Sequence, residues 1–313
     1  MEVTHRQGRE NIAFAYVGKF QDGTRVEFVE SWDPEVSVRE KWVIIVSTLS
    51  GCPICCAFCD AGGHFERKLT SCEILEQILY LVGRRYPDLS VPVNKFKIQF
   101  ARVGEPALNP ALLEVLGRLP GDIHAPGLMP CISTIAPSGR EAFFTGLREI
   151  KNRLYGSGAF QLQFSVHSTD ETFRRRIIPA RIWDLEQISH FGNRWYVDGD
   201  RRITLNFALG VDFPFDIDVL SSLFDPERFL IKITPINPTW KKAKMRLRSL
   251  YPLPDTGFLK KLMRLRSRGF TVIESLGNLI ENSIGTNCGQ YLNRSAPAYS
   301  GDASNLAYSF PQD

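Results

Sequence analysis

Apolar and polar residues alternate along 12–31, and the alternation reverses at Asp22-Gly23. That dipeptide suits the positive φ angles of a two-residue turn, so the stretch predicts a β-hairpin. Residues 33–41 follow as a charged connector. At 42–46 the pattern becomes a short apolar, β-branched run that reads as a buried strand. Thr70-Ser71-Cys72-Glu73 is a capping box, with Ile74, Ile78 and Leu79 at helical spacing behind it. Further strands are predicted at about 95–101, 129–133, 160–166, 202–208, 229–234 and 270–275. Helical patterns fall between them at about 110–118, 138–154, 182–193, 215–223 and 256–268. Asn109-Pro110 predicts an N-cap with proline at the first helical position, and Gly269 the stop of the last helix.

Strands alternating with helices imply a parallel sheet with right-handed crossovers. The units are too few for a closed eightfold barrel. The expected fold is therefore α/β, an open partial (β/α)6 barrel with a small N-terminal β-hairpin extension. The extension is expected over 1–41, the barrel over 42–292 and a loosely ordered tail, rich in Ser, Ala, Asn and Pro, over 293–313.

Composition narrows the setting. The net charge of +4 permits a polyanionic partner without requiring one. Seven cysteines, three of them in one motif, argue for a reducing compartment and against a disulfide framework. The first residues are polar and no apolar run approaches a membrane span, so neither a secretory leader nor a membrane helix is expected and the chain reads as cytoplasmic.

The chemistry concentrates in Cys52-Pro53-Ile54-Cys55-Cys56-Ala57-Phe58-Cys59, which immediately follows the strand at 42–46. Read as C-x3-C-x2-C, it places the thiolates of Cys52, Cys56 and Cys59 on one short loop. Three thiolates can hold three irons of a 4Fe–4S cluster and leave the fourth iron free to chelate S-adenosylmethionine (SAM). A zinc site would want a second ligand pair, and the distant Cys72, Cys131 and Cys288 form none. Cys55 is surplus to the pattern and is expected to be a buried thiol.

This motif, with Phe58 before its last cysteine, resembles that of the radical-SAM superfamily. Over about 12–292 the chain further resembles one branch, the ribosomal-RNA adenine methylases and their antibiotic-resistance relatives that methylate carbon 8 of the same base. Ser47-Thr48-Leu49-Ser50-Gly51-Cys52 is similar to the family's approach to the cluster loop, and Gly104-Glu105-Pro106 to its SAM-binding turn. Ser133, Ser165-Val166-His167 and Asn237 match its other SAM-contact motifs. The stretch 285–290, Gly-Thr-Asn-Cys-Gly-Gln, is similar to its catalytic loop.

The resemblance implies roles. Glu105 pairs with the SAM ammonium; Ser133, Ser165 and Asn237 bond its carboxylate and ribose, with His167 beside them. Cys288 accepts a methyl group from one SAM while a second supplies the radical. Glu27 falls where the family has a candidate proton acceptor, although on a two-stranded hairpin it is expected to be exposed. The implied electron donor is a flavodoxin or ferredoxin.

Two departures qualify these roles. Where the family has a cysteine that releases the covalent intermediate, this chain has Ile45, which has no acid–base chemistry. The family's extra RNA-recognition domain has no counterpart in the residues before the first barrel strand. Two basic groups remain: Lys241, Lys242, Lys244, Arg246 and Arg248, which could track phosphates, and Lys260, Lys261, Arg264, Arg266 and Arg268, the expected solvated face of a helix. The substrate is therefore expected to be RNA or, in a relative with changed chemistry, a small nucleoside, lipid or natural product. A non-catalytic iron–sulfur or zinc binding protein is the rival of another class, and the SAM-contact residues weigh against it.

Overall fold

The computed structural model describes residues 1–33, 35–237, 239–250, 255–275 and 284. Strand β1 (Glu2–Arg9) is polar and largely exposed. Strands β2 (Ala13–Lys19) and β3 (Arg25–Ser31) form the expected hairpin, with Gly23 at φ +88° in its turn. β4 (Lys41–Val46) leads to β5 (Leu49–Gly51) and β6 (Phe65–Lys68), a separate two-stranded sheet that brackets the cysteine loop. The chain continues through α1 (Ser71–Arg85), β7 (Lys95–Phe100), α2 (Ala111–Asp122), β8 (Leu128–Thr134), α3 (Glu141–Leu154), β9 (Gln161–Ser165), α4 (Glu171–Ile177) and α5 (Leu185–Trp195). It ends with β10 (Ile203–Leu209), α6 (Ile217–Leu223), β11 (Phe229–Pro235), α7 (Trp240–Lys244), α8 (Thr256–Ser267) and β12 (Val272–Glu274).

One ten-stranded sheet runs β1-β2-β3-β4-β7-β8-β9-β10-β11-β12. From β4 onward every neighbouring pair is parallel. The hairpin is continuous with this sheet, because β3 pairs antiparallel with β4 and sets Val29 opposite Ile45. It is also preceded by β1, which the sequence pattern did not reveal.

Strand alternation gives the sheet two unlike faces. Trp42, Ile44, Val46, Phe96, Ile98 and Phe100 are fully buried in the main apolar core. Burying side chains of this kind is worth roughly 1.5–3 kcal/mol each. The intervening positions form the inner face, where Ile45, Gln99, Cys131 and Gln161 share one row across four strands. Lys41, Lys95, Lys97 and Lys232 also lie on this face, and its positions on β4 and β7 to β11 include no aspartate or glutamate.

Local signals acted largely as their chemistry requires. The Thr70 capping box closes, with Glu73 N–H donating to Thr70 Oγ1 (3.2 Å) and Thr70 N–H donating to Glu73 (2.8 Å). Gly269 stops α8 at φ +90°. Asn109 departs from its expected part: Pro110 takes the N-cap position of α2. Asn109 Oδ1 still accepts the Ala111 N–H (3.2 Å) at the start of α2, while its amide donates to the Thr48 and Leu69 carbonyls (2.8 and 2.7 Å), tying the approach to the cysteine loop to the turn after β7.

Glu27 departs further. It is fully buried, with its carboxylate 2.8 Å from Arg102 Nε. The reading of an exposed hairpin carboxylate fails because the hairpin is docked on β4 and Arg102, just beyond β7, supplies a buried cation. Among the second basic group, Lys261 donates to the Phe215 carbonyl and Arg268 pairs with Asp218, while Arg264 and Arg266 remain largely exposed. The tail at 293–313 lies outside the described residues.

Candidate active site

The cysteine loop leaves the C-terminal end of β4 through Ser47, whose hydroxyl donates to the Glu27 carbonyl and whose N–H donates to Gln77. Three distant segments hold the loop in place. Cys52 N–H donates to the His64 carbonyl (3.0 Å), and Ala57 N–H donates to the Ile177 carbonyl at the end of α4 (2.8 Å). Asp60, directly after the last cysteine, accepts the N–H groups of Trp240 and Lys241 at 3.0 Å each. Thr239 Oγ1 completes the clamp by donating to the Phe58 carbonyl (2.9 Å).

Cys52 is buried, whereas Cys55, Cys56 and Cys59 are half-buried, so the surplus Cys55 is less enclosed than expected. Cys55 also holds a left-handed backbone, φ +61°. Burial pushes the Cys52 thiol up to about 11 and the Cys56 thiol up to about 12, and Glu105 adds to both. The metal-free Cys52 and Cys56 thiols therefore keep their protons at neutral pH, and a metal would have to displace them. Among the described residues, no three His, Cys, Asp or Glu side chains converge tightly enough to hold a metal ion.

Glu105 lies beside this loop, buried at the start of the short turn Pro106–Leu108. Its carboxylate accepts from Ala107 N–H (3.1 Å), Ile135 N–H (3.0 Å) and the Thr134 hydroxyl. Burial dominates those bonds and pushes Glu105 up to about 7. Gly104 makes the turn possible: its φ is +99°, and a Cβ there would lie 2.4 Å from Leu49 Cγ.

Ser133 and Ser165 occupy the inner face near the ends of β8 and β9, and Ser133 Oγ accepts from Gln163 Nε2 (3.1 Å). His167 sits just past β9 at φ +65°, and its Nδ1 accepts from Ala208 N–H (3.0 Å). Burial, with Arg174 as a lesser cause, lowers its pKa to about 3. The ring is therefore neutral and carries its proton on Nε2. It meets Phe58 edge-to-face, centroids 5.0 Å apart. Asn237 is exposed beyond β11. Cys288 and the rest of 285–290 lie outside the described residues.

Sequence reasoning missed several participants. Asp60, Arg102 and Asn206 were passed over, and Lys241 was assigned to a phosphate-tracking surface. Asn206 had a legible signal, a polar residue in the otherwise apolar run 205–209. Thr48 Oγ1, Asn206 Oδ1 and Lys241 Nζ are buried with no hydrogen-bond partner among the described residues. Buried polar atoms are normally paired, and of these three Lys241 Nζ lies against the cysteine loop, 2.9 Å from where a Cβ at Gly62 would stand. The soft thiol donors, together with this orphaned ammonium, suit an anionic iron–sulfur group.

No family model matches the chain. Its fold is similar to that of a crystal structure of a radical SAM methyltransferase from Sphaerobacter thermophilus, with a TM-score of 0.68, 18% identity and coverage of 92% of this chain and 80% of that one. The fold is thus that of the radical-SAM class. The chain is a homologue of the proteins named probable dual-specificity RNA methyltransferase RlmN. One from Desulfitobacterium hafniense (strain DSM 10664 / DCB-2) is 30% identical over 245 residues, 74% of this chain and 66% of that protein. Another from Symbiobacterium thermophilum is 27% identical over 307 residues, 95% of this chain and 76% of that protein. The chain spans just under two thirds of the length of the Desulfitobacterium protein.

Proposed function

We propose that this chain is a radical-SAM methyltransferase acting on a phosphate-bearing substrate, RNA in particular. The observation that carries the reading is the seating of Cys52, Cys56 and Cys59 on one clamped loop at the C-terminal end of β4, in a homologue of proteins named RNA methyltransferases. Sites of α/β barrels gather at that end of the strands. Cys52, Cys56 and Cys59 would hold a 4Fe–4S cluster, which when bound would supply the electron for SAM cleavage, with a flavodoxin or ferredoxin as the class of donor.

The remaining work falls to side chains. Glu105 holds the SAM ammonium by a charge-assisted bond, and Ser133, Ser165 and Asn237 bond its carboxylate and ribose. Phe58 and His167 form a wall beside them, and Gly104 gives the turn its close approach. Cys288 carries the methyl group, as the resemblance of 285–290 implies.

Substrate class follows from charge. Lys95, Lys97 and Lys232 face inward, and burial together with Lys97 lowers the Lys232 pKa to about 8. Lys41 is matched by Asp33 (2.7 Å), but the inner strand face offers Lys95 and Lys232 no carboxylate. Lys95 opens β7 and Lys232 lies midway along β11, so their field rather than direct contact favours a phosphate-bearing substrate at the strand ends, and binding should weaken steeply with salt.

Ile45 favours a second reading, in which no covalent adduct to the substrate forms. Of the side chains able to replace the missing cysteine, Cys131 shares the Ile45 row two strands away, and Glu27 lies on the strand beside it. His167 is held neutral by burial, and Cys55 belongs to the thiol loop.

The test is anaerobic reconstitution with iron and sulfide, incubation with methyl-labelled SAM, reductant and an adenine-containing RNA, and mass spectrometry of both Cys288 and the RNA. Label is expected on Cys288 and then on base. A protein that retains only zinc, or full iron in Cys56→Ala, removes the cluster reading. Label on a small nucleoside but never on RNA removes the substrate assignment.

A further inference from the structure

Lys241 belongs to the run of basic residues that the sequence offers as a phosphate-tracking surface, yet its ammonium is turned inward. Its Nζ is buried and has no hydrogen-bond partner among the described residues. Its location is fixed by Gly62, three residues past the last cysteine of the motif. A Cβ at Gly62 would lie 2.9 Å from Lys241 Nζ and 2.7 Å from the Cys55 Cα. The ammonium therefore rests against the backbone of the cysteine loop, in a space that a side chain at 62 would fill. The contact is built from both sides, because Asp60 accepts the N–H groups of Trp240 and Lys241 and so sets the first turn of α7 on the loop. The same ammonium is near enough to Cys56 to oppose the burial that raises its thiol.

Removing an ammonium from water is costly unless an anion replaces the solvent. Lys241 Nζ hydrogen-bonds to no anion among the described residues, and the nearby Asp60 carboxylate accepts the backbone N–H groups of Trp240 and Lys241 instead. The Cys56 thiol is close enough to feel its charge, and a thiol that ligates a metal does so as the thiolate.

Resting on the cluster reading above, we propose that Lys241 is the counter-charge of the iron–sulfur cluster and sets its reduction potential. A 4Fe–4S core of charge +2 with three thiolates carries −1, and one electron from the donor takes it to −2 with no proton moved. A fixed neighbouring cation stabilises the second state more than the first. Lys241 thus eases the electron's arrival, and its removal makes the cluster harder to reduce.

The experiment compares wild type with Lys241→Met, which keeps the stem and loses the charge, and Lys241→Arg, which keeps the charge. Each is reconstituted anaerobically and assayed for iron and sulfide content. Its midpoint potential is then read by EPR during a reductive titration without SAM or substrate. Lys241→Met is expected to lower the equilibrium constant for reduction by tenfold or more, a shift of at least about 59 mV to more negative potential. Lys241→Arg should return most of it. An unchanged potential in Lys241→Met with a full cluster overturns the proposal and leaves the cluster reading standing. A wild type that holds no iron overturns both.

Should Lys241→Met fail to assemble a cluster, thermal melting of the metal-free proteins decides. Equal melting, with assembly restored by Lys241→Arg, supports the counter-charge. Metal-free Lys241→Met that melts well below wild type, or Lys241→Arg that also lacks a cluster, assigns the residue to packing alone and overturns it.

Discussion

Replacing Glu27 by glutamine separates its structural part from its chemical one. The side chain is isosteric, so the perturbation is loss of charge opposite Arg102 Nε, 2.8 Å away. Both side chains are at most 1% exposed, so water cannot compensate the guanidinium left behind. Breaking a buried pair by removing one partner typically costs about 3–5 kcal/mol. A domain of 150–250 residues loses roughly 2–4 °C of melting temperature per kcal/mol. The expected shift is therefore on the order of 10 °C, and slightly less in a longer chain. Urea titration by circular dichroism should show a lower midpoint at an unchanged slope, the mark of lost stability rather than altered compactness. The double change Glu27→Leu with Arg102→Met should recover much of the loss, since an apolar pair in the same volume is often neutral. A Glu27→Gln cost under about 1 kcal/mol, or a double variant no better than the single one, would refute the argument. If the double variant is stable and cluster-loaded yet releases no methylated product, Glu27 also has an acid–base part.

His167 gives a pH dependence. Its folded-state pKa, about 3, lies below the ordinary 6.5, so its contribution is fully present above pH 6.5 and is lost as pH falls toward 3. At roughly 1.4 kcal/mol per unit this approaches 4–5 kcal/mol; His167→Asn, able to accept from Ala208 N–H and to adopt φ +65°, should flatten the acid limb of urea midpoint against pH, and parallel curves would count against it. Gly104→Ala should destabilise by on the order of 2–3 kcal/mol, partly relieved by Leu49→Ala, because strain and collision act together; a wild-type melting curve would contradict this. Glu105→Gln should weaken SAM binding to the loaded protein by about 1.5–3 kcal/mol in calorimetry, and unchanged affinity would take Glu105 out of the site.

How much of this was legible depended on the range of the interaction. The Asp22-Gly23 turn, the Thr70 capping box and the strand before the cysteines are written in neighbouring residues, and all three formed. β1 escaped notice because an exposed strand at the border of a sheet needs no alternation, and its sequence is polar on both faces. α4 was lost because its apolar positions are few, and its Arg174 is buried through bonds to Glu171 and to the Val166 and Trp183 carbonyls. The burial of Glu27 and of Lys241 could not be read, because what encloses each comes from remote segments: Arg102 for one, Asp60 and Gly62 for the other.

Among the described residues the ten-stranded sheet is open, and β1 forms one border. A border strand is a template on which a second chain can add by backbone pairing. Here Glu2, His5, Arg6 and Arg9 stand on it, and its register slips between Val3 and His5. An incoming strand would have to desolvate that mixed charge and match an irregular repeat, so self-addition is discouraged at the margin where the fold would otherwise polymerise.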